Sequence, residues 1–182
     1  METEIVKLTS PVSHRDHIQG KNTSPLTFVE YGDYECPYCG QAYSIIKEVQ
    51  KHFGPKLRFV FRNFPVSQIH PHAQQAAEAA ESAAAQIKFW EMHDYLYEHQ
   101  QALDHKHLEK YASELGLDLP KFKNDMMKHT YADRVRQDFI SGVRSGVNGT
   151  PTFYINEIRY NGSWDLETLL ETLGSAIKKP RK

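Results

Sequence analysis

Residues 26–63 read LTFVEYGDYECPYCGQAYSIIKEVQKHFGPKLRFVFRN and predict a β-α-β unit. The first six residues are rich in aromatic and β-branched side chains, which are typical of a strand, and a Gly-Asp pair ends it. From Pro37 to Phe53 apolar residues recur at helical spacing, and Gly54-Pro55 ends the helix. A second strand is expected over 57–63. If the two strands are parallel, the helix between them forms a right-handed crossover.

The remaining sequence predicts a helical block followed by a hairpin and a last helix. Helices are expected over 73–85, 89–97, 105–115, 120–128 and 131–145. Strands at 152–155 and 158–160 flank the turn Asn156-Glu157, although Asn-Gly would suit a two-residue turn better because both positions require positive φ. Asp165 is a candidate N-cap for a helix that continues to Ile177.

This order of elements predicts an α/β protein with one domain over residues 1–182. Two parts, 17–63 and 149–178, supply β-α-β and β-β-α, and they enclose an inserted helical subdomain over 64–148. A simple crossover between strands needs far fewer residues than this insertion contains. We therefore expect the inserted helices to lie over one end of the sheet.

Composition excludes several classes of protein. The 22 Lys and Arg residues nearly balance 23 Asp and Glu, and the net charge of −1 argues against a nucleic-acid-binding module. No apolar run approaches the ~18 residues that a membrane-spanning helix needs. Two cysteines are too few for the multi-bridge framework of a small secreted scaffold.

The two ends of the chain bear on its compartment. Residues 1–20 have neither the basic start nor the continuous apolar run of a secretory signal, so a cytoplasmic location is expected. A periplasmic or other extracytoplasmic location is the alternative if a leader was removed. The basic run at 178–182 is interpreted as a solvated tail.

The two cysteines, Cys36 and Cys39, form a Cys-x-x-Cys pair where the first strand gives way to the first helix. Unpaired N–H groups and the helix dipole favour an anion at this position, and this lowers the pKa of the first thiol. Lowering a thiol pKa from ~8.5 to ~5 takes about 4.8 kcal/mol, whereas a helix terminus supplies at most ~2 kcal/mol. Hydrogen bonds from the Cys39 thiol and nearby backbone N–H groups must supply the rest. We therefore expect a moderately acidic Cys36.

Besides redox chemistry, the two cysteines have two other interpretations, as buried packing residues and as zinc ligands. Free cysteines are often buried as small apolar residues, but two of them around Pro-Tyr at a helix start do not fit that use well. A structural zinc site usually needs four ligands, and this pair supplies two. His70 and His72 are the candidates that could complete such a site, although nothing in the sequence places them near the cysteines.

Four sequence motifs resemble the DsbA-like branch of the thioredoxin-fold superfamily. They are residues 29–39 (VEYGDYECPYC), 61–65 (FRNFP), 89–94 (FWEMHD) and 149–156 (GTPTFYIN). The first and last of these motifs, with the large helical insertion, carry the resemblance to the branch. Residues 61–65 and 89–94 further resemble its stand-alone bacterial proteins, a subgroup that includes domains fused to sodium/proton antiporters. The resemblance implies a thioredoxin-like fold over nearly the whole chain.

The resemblance also implies roles for individual residues. Cys36 would be the nucleophile and Cys39 the resolving thiol of a redox-active disulfide, and Thr150-Pro151 would form the cis-proline loop that faces them. Glu30 matches a buried acid of thioredoxin-like enzymes, which would relay a proton to and from Cys39.

The substrate would lie against Pro37, Tyr38, Thr150 and Pro151. Tyr34 and Trp164 are further candidates for lining its groove, and packing in the core is an equal alternative for these aromatic residues. The Pro37-Tyr38 dipeptide is shared with glutaredoxins, so the redox direction stays open.

The sequence thus predicts a thiol–disulfide oxidoreductase that needs no metal or organic cofactor. Its expected partners are protein or peptide thiols and disulfides, with glutathione or another thiol reductant, and no nucleic acid. The chain is expected to have no integral membrane segment and to be a monomer. The alternatives are a glutathione-dependent isomerase or transferase on the same fold, and a redox-sensing binding module.

Overall fold

The computed structural model describes residues 5–178, so the predicted basic tail lies outside the described residues beyond Lys178. The strands are β1 (His17–Gln19), β2 (Leu26–Gly32), β3 (Leu57–Asn63), β4 (Thr152–Ile155) and β5 (Ile158–Tyr160). The α-helices are α1 (Pro37–Phe53), α2 (Ala73–Ala84), α3 (Phe89–Glu98), α4 (His105–Glu114), α5 (Leu119–Met127), α6 (Ala132–Arg144) and α7 (Leu166–Lys178). The predicted α/β class and thioredoxin-like order of elements are confirmed.

The sheet has the strand order β1-β3-β2-β4-β5. Strands β2 and β3 are parallel, as the β-α-β interpretation requires, and Glu30 lies opposite Phe61 in their register. Strand β4 pairs antiparallel with the other side of β2, which brings its first residue, Thr152, opposite Tyr31. The carboxyl end of β2 and the start of β4 therefore meet at the same end of the sheet.

Strand β1 was not expected from the sequence. Its three residues pair antiparallel with β3, and only the central one, Ile18, is apolar. A run this short carries no periodic signal, so the strand depends on β3 as a template rather than on its own pattern.

Alternation along β2 separates two cores on the two faces of the sheet. Leu26 and Phe28 belong to the larger cluster, which also contains both cysteines and the inner faces of α1 and α7. Val29 and Tyr31 belong to the smaller cluster on the opposite face. By this alternation Glu30 is directed to the face that carries the cysteines, and it is 1% exposed.

The five helices α2 to α6 all lie within the predicted insertion. Alanines at the packing positions of α2, such as Ala76 and Ala80, are fully buried, which lets neighbouring helices approach closely. The segment before α2 reaches the end of the sheet at which β2 ends and β4 begins, and there the Val66 N–H donates to the Asp33 carboxylate at 2.8 Å. Within the described chain, none of the helices has the length and apolar character to cross a bilayer.

The β4–β5 hairpin forms around the predicted turn despite its unfavourable second residue. Asn156 has φ 47° and Glu157 has φ 72°, so both adopt the left-handed conformation that a primed turn needs. Asparagine tolerates this region, whereas a glutamate there is strained.

Replacement of Glu157 by glycine is expected to stabilise the protein by about 1 kcal/mol, because glycine adopts positive φ without steric cost. The measurement is the free energy of unfolding in denaturant. Glu171→Gly in the exposed face of α7 is the matched control, and it should lose about 1 kcal/mol because glycine is unfavourable inside a helix. A loss of stability in Glu157→Gly would contradict this account of the turn.

Candidate active site

Cys36 occupies the N-cap position of α1 in an extended conformation, directly after the loop that leaves β2. Its N–H donates to the carbonyl of Asp33 at 3.2 Å, and Pro37 starts the helix without needing an N–H partner. No side chain caps the helix. The free N–H groups of the first turn are therefore available to the Cys36 sulfur.

The two thiols are both reduced, and they differ in exposure. Cys36 is 4% exposed, whereas Cys39 is completely buried. The neighbouring Tyr38 side chain is 62% exposed. Of the two cysteines, only Cys36 has exposed surface that a second molecule can contact, and this surface is small.

The pKa of Cys36 is lowered to about 5, chiefly by a hydrogen bond from the Cys39 thiol. Burial opposes this shift, and the Thr150 side chain and the backbone N–H groups of Cys39 and Tyr38 favour it. The neutral thiol can also donate to the Thr150 carbonyl at 3.4 Å, which favours the protonated form. The hydrogen-bond donors directed at the sulfur outweigh both opposing effects. This agrees with the expectation that hydrogen bonds must supply the part of the pKa shift that the helix dipole cannot.

The pKa of Cys39 is raised well above its ordinary value, first by burial and then by its hydrogen bond to Cys36. The negative charges of Glu30 and Cys36 raise it further. The same Cys36–Cys39 contact thus lowers one pKa and raises the other. It produces a nucleophilic thiolate beside a thiol that keeps its proton.

Glu30 is buried beside the cysteines, and burial raises its pKa to about 8, with a further contribution from the charge of the Cys36 thiolate. Its Oε1 atom has no hydrogen-bond partner within the described chain. A carboxyl group in this state is mostly protonated at neutral pH and can exchange a proton near neutrality.

The Thr150–Pro151 loop lies against the Cys36 sulfur, and the peptide bond between its two residues is cis. Strand β4 begins at the next residue and pairs with β2, which fixes the loop at the site end of the sheet. Cys39 and Thr150 therefore contact the Cys36 sulfur, and Glu30 interacts with it through charge. Pro37, Tyr38 and Pro151 are immediate chain neighbours of these residues.

The histidines at 70 and 72 bind the loop that precedes Cys36. Nδ1 of His70 lies 2.8 Å from the Asp33 carboxylate, and Nδ1 of His72 lies 2.8 Å from that of Glu35. They are engaged by carboxylates rather than directed at the cysteines. Across residues 5–178, no three or more His, Cys, Asp and Glu side chains form a group that could hold a metal ion.

Asp33 is a site residue that the sequence did not single out. One of its carboxylate oxygens accepts from the Glu35 N–H and the other from the Val66 N–H and His70. It therefore joins the loop before Cys36 to the start of the insertion. An Asp after a strand normally signals only a turn, so these partners could not be foreseen.

Tyr34 packs in the core and does not line a substrate groove, so the structure selects the second of the two alternatives. The side chain is 1% exposed, and its hydroxyl lies 3.1 Å from Nδ1 of His93 on α3. The residue faces inward because the aromatic cluster of Phe61 and Tyr97 accommodates its ring. Trp164 is half-buried against the larger core.

Gln100 is a second residue near the cysteines that the sequence did not indicate. It lies in the loop after α3, and its Nε2 donates to the carbonyls of Tyr34 at 2.8 Å and Cys36 at 2.9 Å. This is a direct link from the helical insertion to the first turn of α1.

Comparison of sequences places the chain among thioredoxin-like proteins. The family model described as Thioredoxin matches residues 13–175. The Na(+)/H(+) antiporter NhaA 3 of Salinispora tropica is 43% identical over 178 residues, which are 97% of this chain and 27% of the antiporter. NhaA 1 of Mycobacterium sp. strain KMS is 44% identical over 169 residues, 91% of this chain and 28% of the antiporter. The chain thus spans about a quarter of the length of these curated relatives.

Solved structures share the fold over almost their entire length. Oxidised BdbD from Bacillus subtilis superposes with a TM-score of 0.85 at 26% identity, covering 97% of this chain and 100% of BdbD. A thioredoxin-like oxidoreductase from Silicibacter pomeroyi gives a TM-score of 0.80 at 26% identity, covering 92% of this chain and 95% of that protein. Together with the matched family model, these findings show that the chain belongs to the thioredoxin family.

Proposed function

We propose that the chain is a thiol–disulfide oxidoreductase that exchanges disulfides with protein or small-thiol substrates through Cys36 and Cys39. The observation that carries the proposal is the opposite shift of the two cysteine pKa values, one lowered to about 5 and the other raised. A structural pair of buried thiols has no need of such a division. A nucleophile and a resolving thiol require it.

The first step is attack by the Cys36 thiolate on a sulfur of the substrate disulfide. The Cys36–substrate bond forms as the substrate S–S bond breaks, and one substrate sulfur leaves as a thiolate. In the second step the deprotonated Cys39 sulfur attacks the Cys36 sulfur and releases the other substrate thiolate. The substrate disulfide gains two electrons and the protein pair loses two; oxidation of a substrate dithiol is the reverse sequence.

Glu30 supports the second step by accepting the proton of Cys39. While Cys36 is a thiolate, its charge helps to hold the pKa of Glu30 at about 8. Formation of the mixed disulfide removes this charge, so Glu30 ionises more readily at the moment when Cys39 must lose its proton. The electrostatic coupling thereby times the proton transfer to the resolving step.

Substrate binding is proposed at the protein surface around Cys36. Tyr38 offers an exposed aromatic side chain there, and the loop at Thr150 and Pro151 lies on the other side of the sulfur. An extended substrate segment could pair with the backbone of this loop as an added strand. Pro37, next to Cys36, is exposed at the same surface.

The proposal concerns the thioredoxin-like part that the relatives share with this chain. The names of these relatives state Na(+)/H(+) antiport, and about three quarters of their length lies outside the part that this chain matches. In a reducing compartment the pair would be held mostly as a dithiol and would favour reductive exchange. In an oxidising compartment the same pair would favour oxidation of substrates.

Replacement of Cys39 by alanine is expected to trap mixed disulfides through Cys36, because the resolving thiol is missing. The variant should be reacted at pH 8, since loss of the Cys39 hydrogen bond raises the pKa of Cys36. The measurement is the mass of adducts formed with a disulfide-containing model peptide and with oxidised glutathione.

Cys36→Ala is the matched control and should form no adduct, because Cys39 is buried. Equal trapping by the two variants would contradict the assigned roles. An absence of adducts in Cys39→Ala, with retention of a binding partner when both cysteines are serine, would favour a binding module instead.

Replacement of Glu30 by glutamine is expected to slow release of the mixed disulfide by about tenfold or more, because the proton acceptor of Cys39 is lost. The rate of the first step, measured separately by stopped-flow with excess disulfide, should change much less. Equal slowing of both steps would contradict the relay.

The same variant, which is expected to slow the reaction, is also expected to increase the stability of the folded protein. The pKa of Glu30 is raised from 4.5 to about 8 on folding, so its contribution is full below about pH 4.5 and is lost as pH rises through about 8. Glutamine cannot ionise, so Glu30→Gln should become more stable than the parent protein between pH 5 and 9, by at most about 5 kcal/mol. Denaturant unfolding across this pH range measures the difference and shows that the variant folds.

A further inference from the structure

We propose that Gln100 is a positioning residue for Cys36, holding the first turn of α1 so that the sulfur faces the N–H groups of the helix. The proposal deepens the proposed function, because it rests on Cys36 acting as the nucleophile. Gln100 belongs to the loop between α3 and α4, far from α1 in sequence, so it makes the helical insertion part of the active site.

The hydrogen bonds of Gln100 use its full donor capacity. A side-chain amide carries two N–H groups, and Nε2 lies 2.8 Å from the Tyr34 carbonyl and 2.9 Å from the Cys36 carbonyl. The Cys36 carbonyl also accepts the Gly40 N–H at 3.1 Å, which is the first hydrogen bond of α1. Both acceptor directions of this carbonyl are thus occupied, and one side chain holds the Tyr34–Glu35 peptide group and the Cys36–Pro37 peptide group.

Gly40 makes this approach possible. A Cβ atom on Gly40 would lie 2.0 Å from Oε1 and 2.7 Å from Cδ of Gln100, which is far inside van der Waals contact. Glycine is otherwise unfavourable inside a helix. The missing side chain at position 40 leaves the space that the Gln100 amide fills, so the two residues form a matched pair.

The consequence for Cys36 follows from the geometry of the turn. The sulfur is hydrogen-bonded by the Cys39 thiol and by the N–H groups of Tyr38 and Cys39, and these donors are effective only while the Cys36 Cα–Cβ bond points toward them. Gln100 fixes the peptide group that follows Cys36 and the one between Tyr34 and Glu35, and it thereby restricts this direction. Without it, the loop can rotate, the sulfur loses part of its donors, and the thiolate becomes less favourable.

The test compares Gln100→Ala and Gln100→Glu with a matched control, Gln75→Ala. Gln75 makes a similar bond within the insertion, from Nε2 to the Leu103 carbonyl at 2.7 Å, but has no contact with the active-site loop. We expect Gln100→Ala to raise the pKa of Cys36 by about 0.5 to 1 pH unit, which is a three- to tenfold loss of the thiolate-to-thiol ratio at fixed pH. Gln100→Glu should raise it more, because a carboxylate faces two carbonyl oxygens. Gln75→Ala should leave it unchanged.

Gly40→Ala provides an independent perturbation of the same pair. The added methyl group displaces the flexible end of Gln100 and should raise the pKa of Cys36 as Gln100→Ala does. When Gly40→Ala is combined with Gln100→Ala, the pKa of Cys36 should rise no further than in either single variant. Alanine at position 40 should then stabilise the protein, because its helix propensity exceeds that of glycine and the clash with the Gln100 side chain is gone. This reversal in the sign of the stability effect separates displacement of Gln100 from general damage to the helix.

The inference is overturned if Gln100→Ala and Gly40→Ala both fold and leave the Cys36 pKa unchanged, or if Gln75→Ala shifts it equally. Failure of the proposed function has a different signature: the parent protein itself would then titrate like an ordinary thiol. If Gln100→Ala does not fold, Gly40→Ala alone gives the answer, because the clash in this variant involves only the movable end of a side chain.

Discussion

The hydrogen bond between the two cysteine sulfurs is the interaction on which the chemistry of this protein depends. It lowers the pKa of Cys36 and raises that of Cys39, so a single contact distinguishes an ionised nucleophile from a protonated resolving thiol. The helix dipole alone is too weak to produce such a difference. The fold serves this contact by starting α1 at Cys36 and by burying Cys39 against the larger core.

Three separate regions of the chain hold the loop that carries Cys36. The start of the insertion contributes the Val66 N–H and the His70 side chain, both bound to Asp33, and Thr150 precedes β4 and covers the sulfur. Gln100 enters from the far end of α3. The helical insertion is thus more than a cover over the sheet, because two of its loops determine the position of the active-site turn.

The sequence predicted the parts of the molecule that depend on local pattern. The β-α-β unit, the hairpin at Asn156 and the helices of the insertion follow from periodicity and turn residues, and the structure agrees with them within a few residues. The Cys-x-x-Cys pair was equally legible, because its spacing on a helix start has a direct chemical meaning. Glu30 was recognisable as a charged residue within an apolar strand.

The features that the sequence did not reveal depend on contacts between distant segments. Strand β1 is too short to carry a pattern and forms only beside β3. Tyr34 looked like a surface aromatic next to the cysteines, but α3 supplies a buried partner for its hydroxyl. The pairing of Gln100 with Gly40 leaves no local trace, since a glutamine after a helix and a glycine within one are unremarkable when taken separately.

The most direct test of this account is a titration of Cys36 in the reduced protein, followed by the ultraviolet absorbance of the thiolate and by the rate of alkylation. The Cys36→Ala variant identifies the signal, since it should lose the transition. The account predicts an apparent pKa of about 5 for Cys36, with Cys39 remaining protonated well above neutral pH. A titration of Cys36 near 8.5, the value of an unperturbed thiol, would contradict it.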